Sequence, residues 1–157
     1  MASAGFFDYA QGQAASSGEN LIFLGNWSEA DWERLFEYTQ THRFAPGDRV
    51  ITAGATDCAL YLVASGQLEV VAERRRREKV ATIDEGSVVG EQAFLDGQAA
   101  SFDVVAATAV ESLRLSLTDF ETFSARHPDL GRSFLRDLGR ILSLRLRATT
   151  EQLLRRR

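Results

Sequence analysis

The chain has 157 residues, 45% hydrophobic and 25% charged, with a formal net charge of −4. That length holds one domain with an ordinary core, and the composition is that of a soluble globular protein, not a disordered or fibrous one. No apolar run approaches the ~18 residues of a membrane span, residues 1–19 lack the basic start of a secretory signal, and the single cysteine, Cys58, excludes an internal disulfide.

Charge is unevenly placed. Residues 1–129 carry 10 basic and 20 acidic side chains, net −10, whereas residues 130–157 carry 8 and 2, net +6. An acidic body argues against nucleic-acid binding by that body. The Arg-rich C-terminal segment suits an acidic protein partner, the acidic body of its own or a second subunit, or plain solvation. A cytoplasmic protein without membrane contact is the expectation.

Residues 1–25 are rich in Ala, Gly, Ser and Gln, with apolar islands at Phe6-Phe7 and Leu21–Leu24. They read as a poorly ordered extension that docks locally through those islands, so the domain proper is placed at residues 26–157. Ser28 then caps a helix with Glu29, Asp31 and Glu33 in its first turns and Trp32, Leu35, Phe36 and Thr39 on one face. Asp31 stands where a capping box has Glu or Gln, so this start is read as close to that motif but not one.

From residue 42 to 116 the pattern changes to short β-rich runs between turns. Ala45-Pro-Gly-Asp48 is a turn with Arg49–Thr52 extended after it, and Leu60–Val71 reads as two runs hinged at Ser65-Gly66. Arg74–Arg77 forms a solvated hairpin tip with a far strand at Lys79–Ile83. Ser101–Ala107 and Val110–Ser116 are the last strands. Thr118-Asp119 caps a helix at Phe120–Arg126, broken by His127-Pro128. Asp129 opens a long helix with a stripe of Leu135, Leu138, Leu142, Leu146 and Leu153, widened by Phe134, Ile141 and Leu144. Seven or eight short strands at this spacing suggest a sandwich or jelly roll, and the fold class is mainly β with flanking helices: a jelly-roll or double-stranded β-helix at 42–116, one helix before it, and C-terminal helices at 118–157.

Between the two halves of the roll lies Gly86-Ser-Val-Val-Gly90-Glu91. It reads as a glycine turn, a two-residue strand end and a short helical turn from Gly90 to Asp96, followed by a second glycine turn at Gly97. Breaking a strand at glycine into a short helix leaves several N–H groups unpaired and pointing one way, which suits an anionic group; it is also ordinary loop geometry. Glu91 has a plain reading too, as a helix-start acid held by free N–H groups for a few tenths to ~1 kcal/mol.

This stretch resembles the phosphate-binding cassette of the cyclic-nucleotide-binding domain family. The order helix–barrel–helix–long helix is similar as well, over about residues 28–154. Phe44-Ala-Pro-Gly-Asp-Arg-Val-Ile51, Leu60-Tyr-Leu-Val-x-x-Gly-x-Leu-Glu-Val70 and Asp119-Phe-x-x-Phe-x-x-x-x-Pro128 support it. The resemblance implies that Glu91 accepts from a ribose 2′-hydroxyl. It also implies that N–H groups of Gly90, Glu91, Gln92 and Ala93, with Ser101, meet a cyclic phosphate. In the catabolite-activator branch two hydroxyl residues on the long helix touch adenine, one from each subunit; Thr149-Thr150 is similar.

The family's phosphate-binding Arg is missing, and Ala100 stands in its place. A charge-assisted bond to phosphate is worth ~1.5–3 kcal/mol, or roughly 10- to 150-fold in affinity. Strand alternation puts Asp103 on the side of Ser101, where a carboxylate would oppose the anion further. The expected function is a stand-alone regulatory or sensor domain with a degenerate cassette and weak or altered binding of cAMP or cGMP. The alternative is a ligand-free dimerisation or interaction module that keeps only the fold. The apolar stripe implies a homodimer through the C-terminal helix, and a DNA-binding domain after it is not expected. No nucleophile–base set, metal cluster or triphosphate loop is present, His42 and His127 having no ligand-spaced partners, so an enzyme is not expected.

Overall fold

The computed structural model describes residues 21–73 and 76–156. The first apolar island, Phe6-Phe7, and the arginines Arg74 and Arg75 of the hairpin tip lie outside the described residues. In chain order the elements begin with α1 (Glu29–Phe36), β1 (Gln40–Phe44), β2 (Arg49–Ile51), β3 (Leu60–Ser65), β4 (Leu68–Glu73) and β5 (Arg77–Ile83). They continue with β6 (Val88–Val89), α2 (Glu91–Asp96), β7 (Asp103–Ala106), β8 (Val110–Leu115), α3 (Leu117–Arg126) and α4 (Pro128–Arg155).

The strands form two antiparallel four-stranded sheets, ordered β1-β8-β3-β6 and β2-β7-β4-β5. Strand β3 explains why the roll needs helices. All but its last residue are buried, so it has no polar face. Leu60, Leu62 and Ala64 join one core with Trp27, Trp32, Phe123, Phe134 and Leu138, while Tyr61 and Val63 join another with Leu68, Ile83 and Val104. Alternation along the strand therefore sends one set of side chains into the roll and the other under the helices. The hinge at Ser65-Gly66 carries the chain from the first sheet to the second. Gly66 sits at φ 88°, and a Cβ there would meet the Ala109 carbonyl oxygen at 2.2 Å, so only glycine fits.

Several sequence expectations shift by local chemistry. The α1 start is a full capping box: Asp31 N–H donates to Ser28 Oγ and Ser28 N–H donates to Asp31 Oδ2, each at 3.1 Å. Aspartate reaches back as the longer acids do, and α1 ends at Phe36, leaving Thr39 outside it. The roll begins at Gln40 rather than residue 42, because β1 pairs with β8 over its whole length. The far strand of the hairpin begins at Arg77, which pairs with Glu73. Helix α3 starts at Leu117, not Phe120, because Ser116 Oγ accepts from Asp119 N–H and so acts as the cap. Helix α4 starts at Pro128, which needs no donor in a first turn.

Strand β7 starts at Asp103, not Ser101. Ala100 is tied elsewhere: its N–H donates to Ala55 O and its carbonyl accepts from Gly54 N–H. The leucine stripe on α4 is two faces rather than one. Phe134, Leu138 and Ile141 are fully buried, whereas Leu135, Leu146 and Leu153 are exposed. A helix on a small roll can bury only one side, so the wide stripe divides.

The domain boundary at residue 25 falls inside the core. Ile22, Phe23 and Leu24 are buried, and the Phe23 ring meets Phe134 edge-on at 5.0 Å. Because Phe23 is 0% exposed, Phe23→Ala is expected to cost about 3–5 kcal/mol in urea unfolding, as for any core aromatic. A loss below about 1 kcal/mol would show that this segment is not packed as described.

Candidate functional site

Strand β6 delivers the cassette. Only two residues long, it runs at the edge of its sheet and pairs with β3 alone. Gly90 breaks it at φ 88°, and a Cβ there would come within 2.6 Å of the Ala59 carbonyl oxygen. The backbone can turn into α2 only because that side chain is absent. Helix α2 is short, six residues, capped by Gly97 in the left-handed region.

Glu91 is only 8% exposed, and its charge is met from across the molecule. Arg145 of α4 places Nη1 at 2.8 Å from Glu91 Oε2. Its Nη2 donates to the Val88 carbonyl at 2.6 Å and to Ser87 Oγ at 3.0 Å. The Arg145–Glu91 contact is close but not aligned as a hydrogen bond, so Glu91 Oε2 stays a buried acceptor with unused capacity. A buried carboxylate that is charge-compensated but not fully hydrogen-bonded is suited to accept a hydroxyl.

The remaining sequence-named residues divide sharply. Gly90 and Glu91 stand together at the start of α2; Ala93 is buried beneath it and Gln92 is exposed. Ala100 and Ser101 follow in the loop before β7, half-buried and exposed respectively. Thr149 and Thr150 lie on the exposed end of α4, with hydroxyls donated to the carbonyls of Arg145 and Leu146 in their own helix.

Asp103 does not confront the cassette as alternation from Ser101 predicts. The chain bends at Ser101-Phe102, and Asp103 turns to β2, where Oδ1 accepts from Ala53 N–H at 2.7 Å and Oδ2 lies 3.9 Å from Arg49. Its charge is spent on holding β2 against β7.

Arg114 is committed in the same way, to Asp57 at 3.3 Å. Burial acts to lower its pKa, but hydrogen bonds to Tyr61 and Asp57 outweigh that and hold it above its ordinary value. Among the described residues, the cation beside Glu91 is Arg145. The sequence alone leaves room for an arginine of the hairpin tip or of the long helix to reach the site and does not choose among them. The signal was helical spacing: Arg145 follows Leu138 by seven and Ile141 by four, on the buried face rather than the solvent face.

A two-sheet antiparallel roll closed by helices, with a glycine-broken edge strand presenting a buried glutamate, is a jelly-roll domain. The cyclic nucleotide-binding domain model matches residues 41–127, and the chain belongs to that family. It is 33% identical over 112 residues to glutaminase 2 of Bradyrhizobium diazoefficiens, a match covering 71% of this chain but 18% of that protein. A cyclic nucleotide-binding domain from Methylobacillus flagellatus superposes with a TM-score of 0.83, covering 99% of this chain and 84% of the other, at 20% identity, a likeness of fold. The Thermus thermophilus catabolite activator protein gives a TM-score of 0.70 at 26% identity, over 80% of this chain and 58% of that one. This chain thus spans less than two thirds of the glutaminase and of the activator.

Among the described residues no helix is long and apolar enough to cross a membrane. Breaking the ion pair from one side leaves a largely buried charge. Arg145→Met is expected to cost about 1–3 kcal/mol, less than for a fully enclosed pair because both side chains keep some exposure. Combined with Glu91→Gln it should cost less than the two single losses added. Urea unfolding of the four proteins checks this, and strict additivity would show that the pair carries no coupling.

Proposed function

We propose that this chain is a regulatory sensor domain that takes a cyclic nucleotide, cAMP or cGMP, into a cassette weakened by the loss of its arginine. The observation that carries the reading is Glu91 Oε2: buried, compensated by Arg145, and with acceptor capacity unspent. In this reading Glu91 accepts the ribose 2′-hydroxyl, the turn from Gly90 to Ala93 and Ser101 face the phosphate, and Arg145 supplies the nearest positive charge. Ala100 supplies none, so affinity is low.

The same ion pair also favours a second reading. With Glu91 compensated inside the chain and no arginine at position 100, the fold is complete without a ligand. The module then serves dimerisation or protein interaction.

A calorimetric titration with cAMP and cGMP separates the two. The unmodified protein should bind weakly. Ala100→Arg should tighten binding by roughly 10- to 150-fold, through two guanidinium bonds to the phosphate. Adding Glu91→Ala should reverse most of that gain. No heat with either nucleotide, before or after Ala100→Arg, would favour the ligand-free module.

Either reading includes a homodimer through α4. Leu135, Gly139, Leu142, Leu146, Thr149 and Leu153 alternate by four and three residues, the spacing of a coiled-coil seam. Leu146 and Leu153 are 65% and 60% exposed, apolar surface of the kind a partner helix covers. Light scattering should give twice 17.4 kDa at high micromolar concentration. Leu146→Asp should return the monomer with the roll still folded, and a monomeric unmodified protein would remove this part of the proposal. Thr149 and Thr150 would then stand near the partner's cassette, as adenine contacts.

A further inference from the structure

We propose that Asp137 is a positioning residue for the Arg145–Glu91 pair, acting through the segment that precedes α1. The inference stands apart from the proposed function, since it concerns how the pair is held and needs no ligand.

The segment at 22–27 lies against α4 and is held by three of its residues. Asp137 Oδ2 accepts from Leu24 N–H at 2.6 Å. Arg140 Nη2 donates to the Ile22 carbonyl at 2.7 Å, while its Nε donates to Asp137 Oδ1 at 2.7 Å. Trp27 Nε1 donates to Ser133 Oγ at 2.9 Å. Asp137 thus receives the strap's backbone with one oxygen and orients the arginine that binds the same strap with the other.

The far side of the strap holds the cassette strand. Phe23 N–H donates to the Gly86 carbonyl at 2.8 Å, immediately before the Ser87 and Val88 acceptors of Arg145. Helix α4 therefore grips residues 86–88 twice: directly through Arg145, and through residues 22–24 from Asp137, eight residues or about 12 Å earlier along the axis. The second grip matters because of where β6 sits. It is a two-residue edge strand with pairing on one side only, and short edge pairing is the weakest part of a sheet. Arg145 alone is a long side chain able to follow a sliding helix through several rotamers. Two moorings fix the axial position of α4 against β6, and with it the placement of Arg145 beside Glu91.

The test asks whether Asp137 changes the coupling of a pair it does not touch. The Glu91→Gln and Arg145→Met cycle is measured by urea unfolding in three backgrounds: Asp137, Asp137→Ala and Asp137→Asn. With Asp137 present the coupling should be about ten-fold in the unfolding equilibrium constant. Asp137→Ala should lower it to under about three-fold. Asp137→Asn keeps an acceptor for Leu24 N–H and should restore most of it. A residue with a merely structural role would lower the stability of all four proteins in the cycle equally, so unchanged coupling in Asp137→Ala overturns the proposal, as does absence of coupling in the native background. Should Asp137→Ala fail to fold, Arg140→Met opens the strap at the Ile22 carbonyl instead. Exchange of the Phe23 amide, which donates to the Gly86 carbonyl, should then quicken at least ten-fold relative to the Ala106 amide, which lies in the other sheet; an unchanged ratio overturns the proposal.

Discussion

Strand β3 lies between two cores, and much else follows from having to bury both of its faces. Its inner side chains close the roll on the second sheet; its outer ones, Leu60, Leu62 and Ala64, would face water if the helices left. At about 25 cal/mol per Å² of apolar surface, uncovering that face is not affordable for a domain of this size. Helices α1, α3 and α4 and the segment at 22–24 are therefore part of one fold with the sheets. A strand sandwiched in this way is also rigid, so it gives its neighbour β6 a fixed side to pair with. The cassette inherits its position from that pairing.

Electrostatics is arranged around the same geometry. Among the described residues two carboxylates are buried, Asp103 and Glu91, and they are met differently. Asp103 is held by Ala53 N–H and Arg49, and Asp137 by Leu24 N–H and Arg140. Glu91 differs, because Arg145 meets its charge without filling its acceptor capacity. Desolvation makes such a group costly to leave bare and receptive to a donor. With alanine at position 100, the positive charge beside Glu91 comes from α4, through Arg145.

The β-roll, the turn chemistry and the α2 start at Gly90 were legible because each rests on local signals: period-two runs, glycines at tight turns, an acid at a helix start. What failed was set by distance. Asp103 was placed by extending alternation through Ser101-Phe102, where the chain bends because Ala100 is tied to Gly54 and Ala55 instead. The leucine stripe looked continuous because leucine is apolar on either face; only the curvature of the roll decides that Leu138 is buried and Leu146 is not. The island at 21–24 reads in sequence as a local dock outside the domain, yet residues 22–24 are buried in its core with hydrogen-bond partners on both sides. Arg145 could be reached from spacing, but only its partner 54 positions earlier in the chain gives it a role.

Helix α4 does not stop where its contacts do. Beyond Arg145 every residue from Leu146 to Arg155 is exposed, about 15 Å of helix at 1.5 Å per residue. Its last hold on the body is the guanidinium beside Glu91, so that ion pair sits at the fulcrum of a lever arm. A tilt of about 10° there would carry the tip roughly 3 Å for that length, more than the rearrangement of one side chain at the pivot. The exposed end of the helix would therefore move farther than the ion pair at its base.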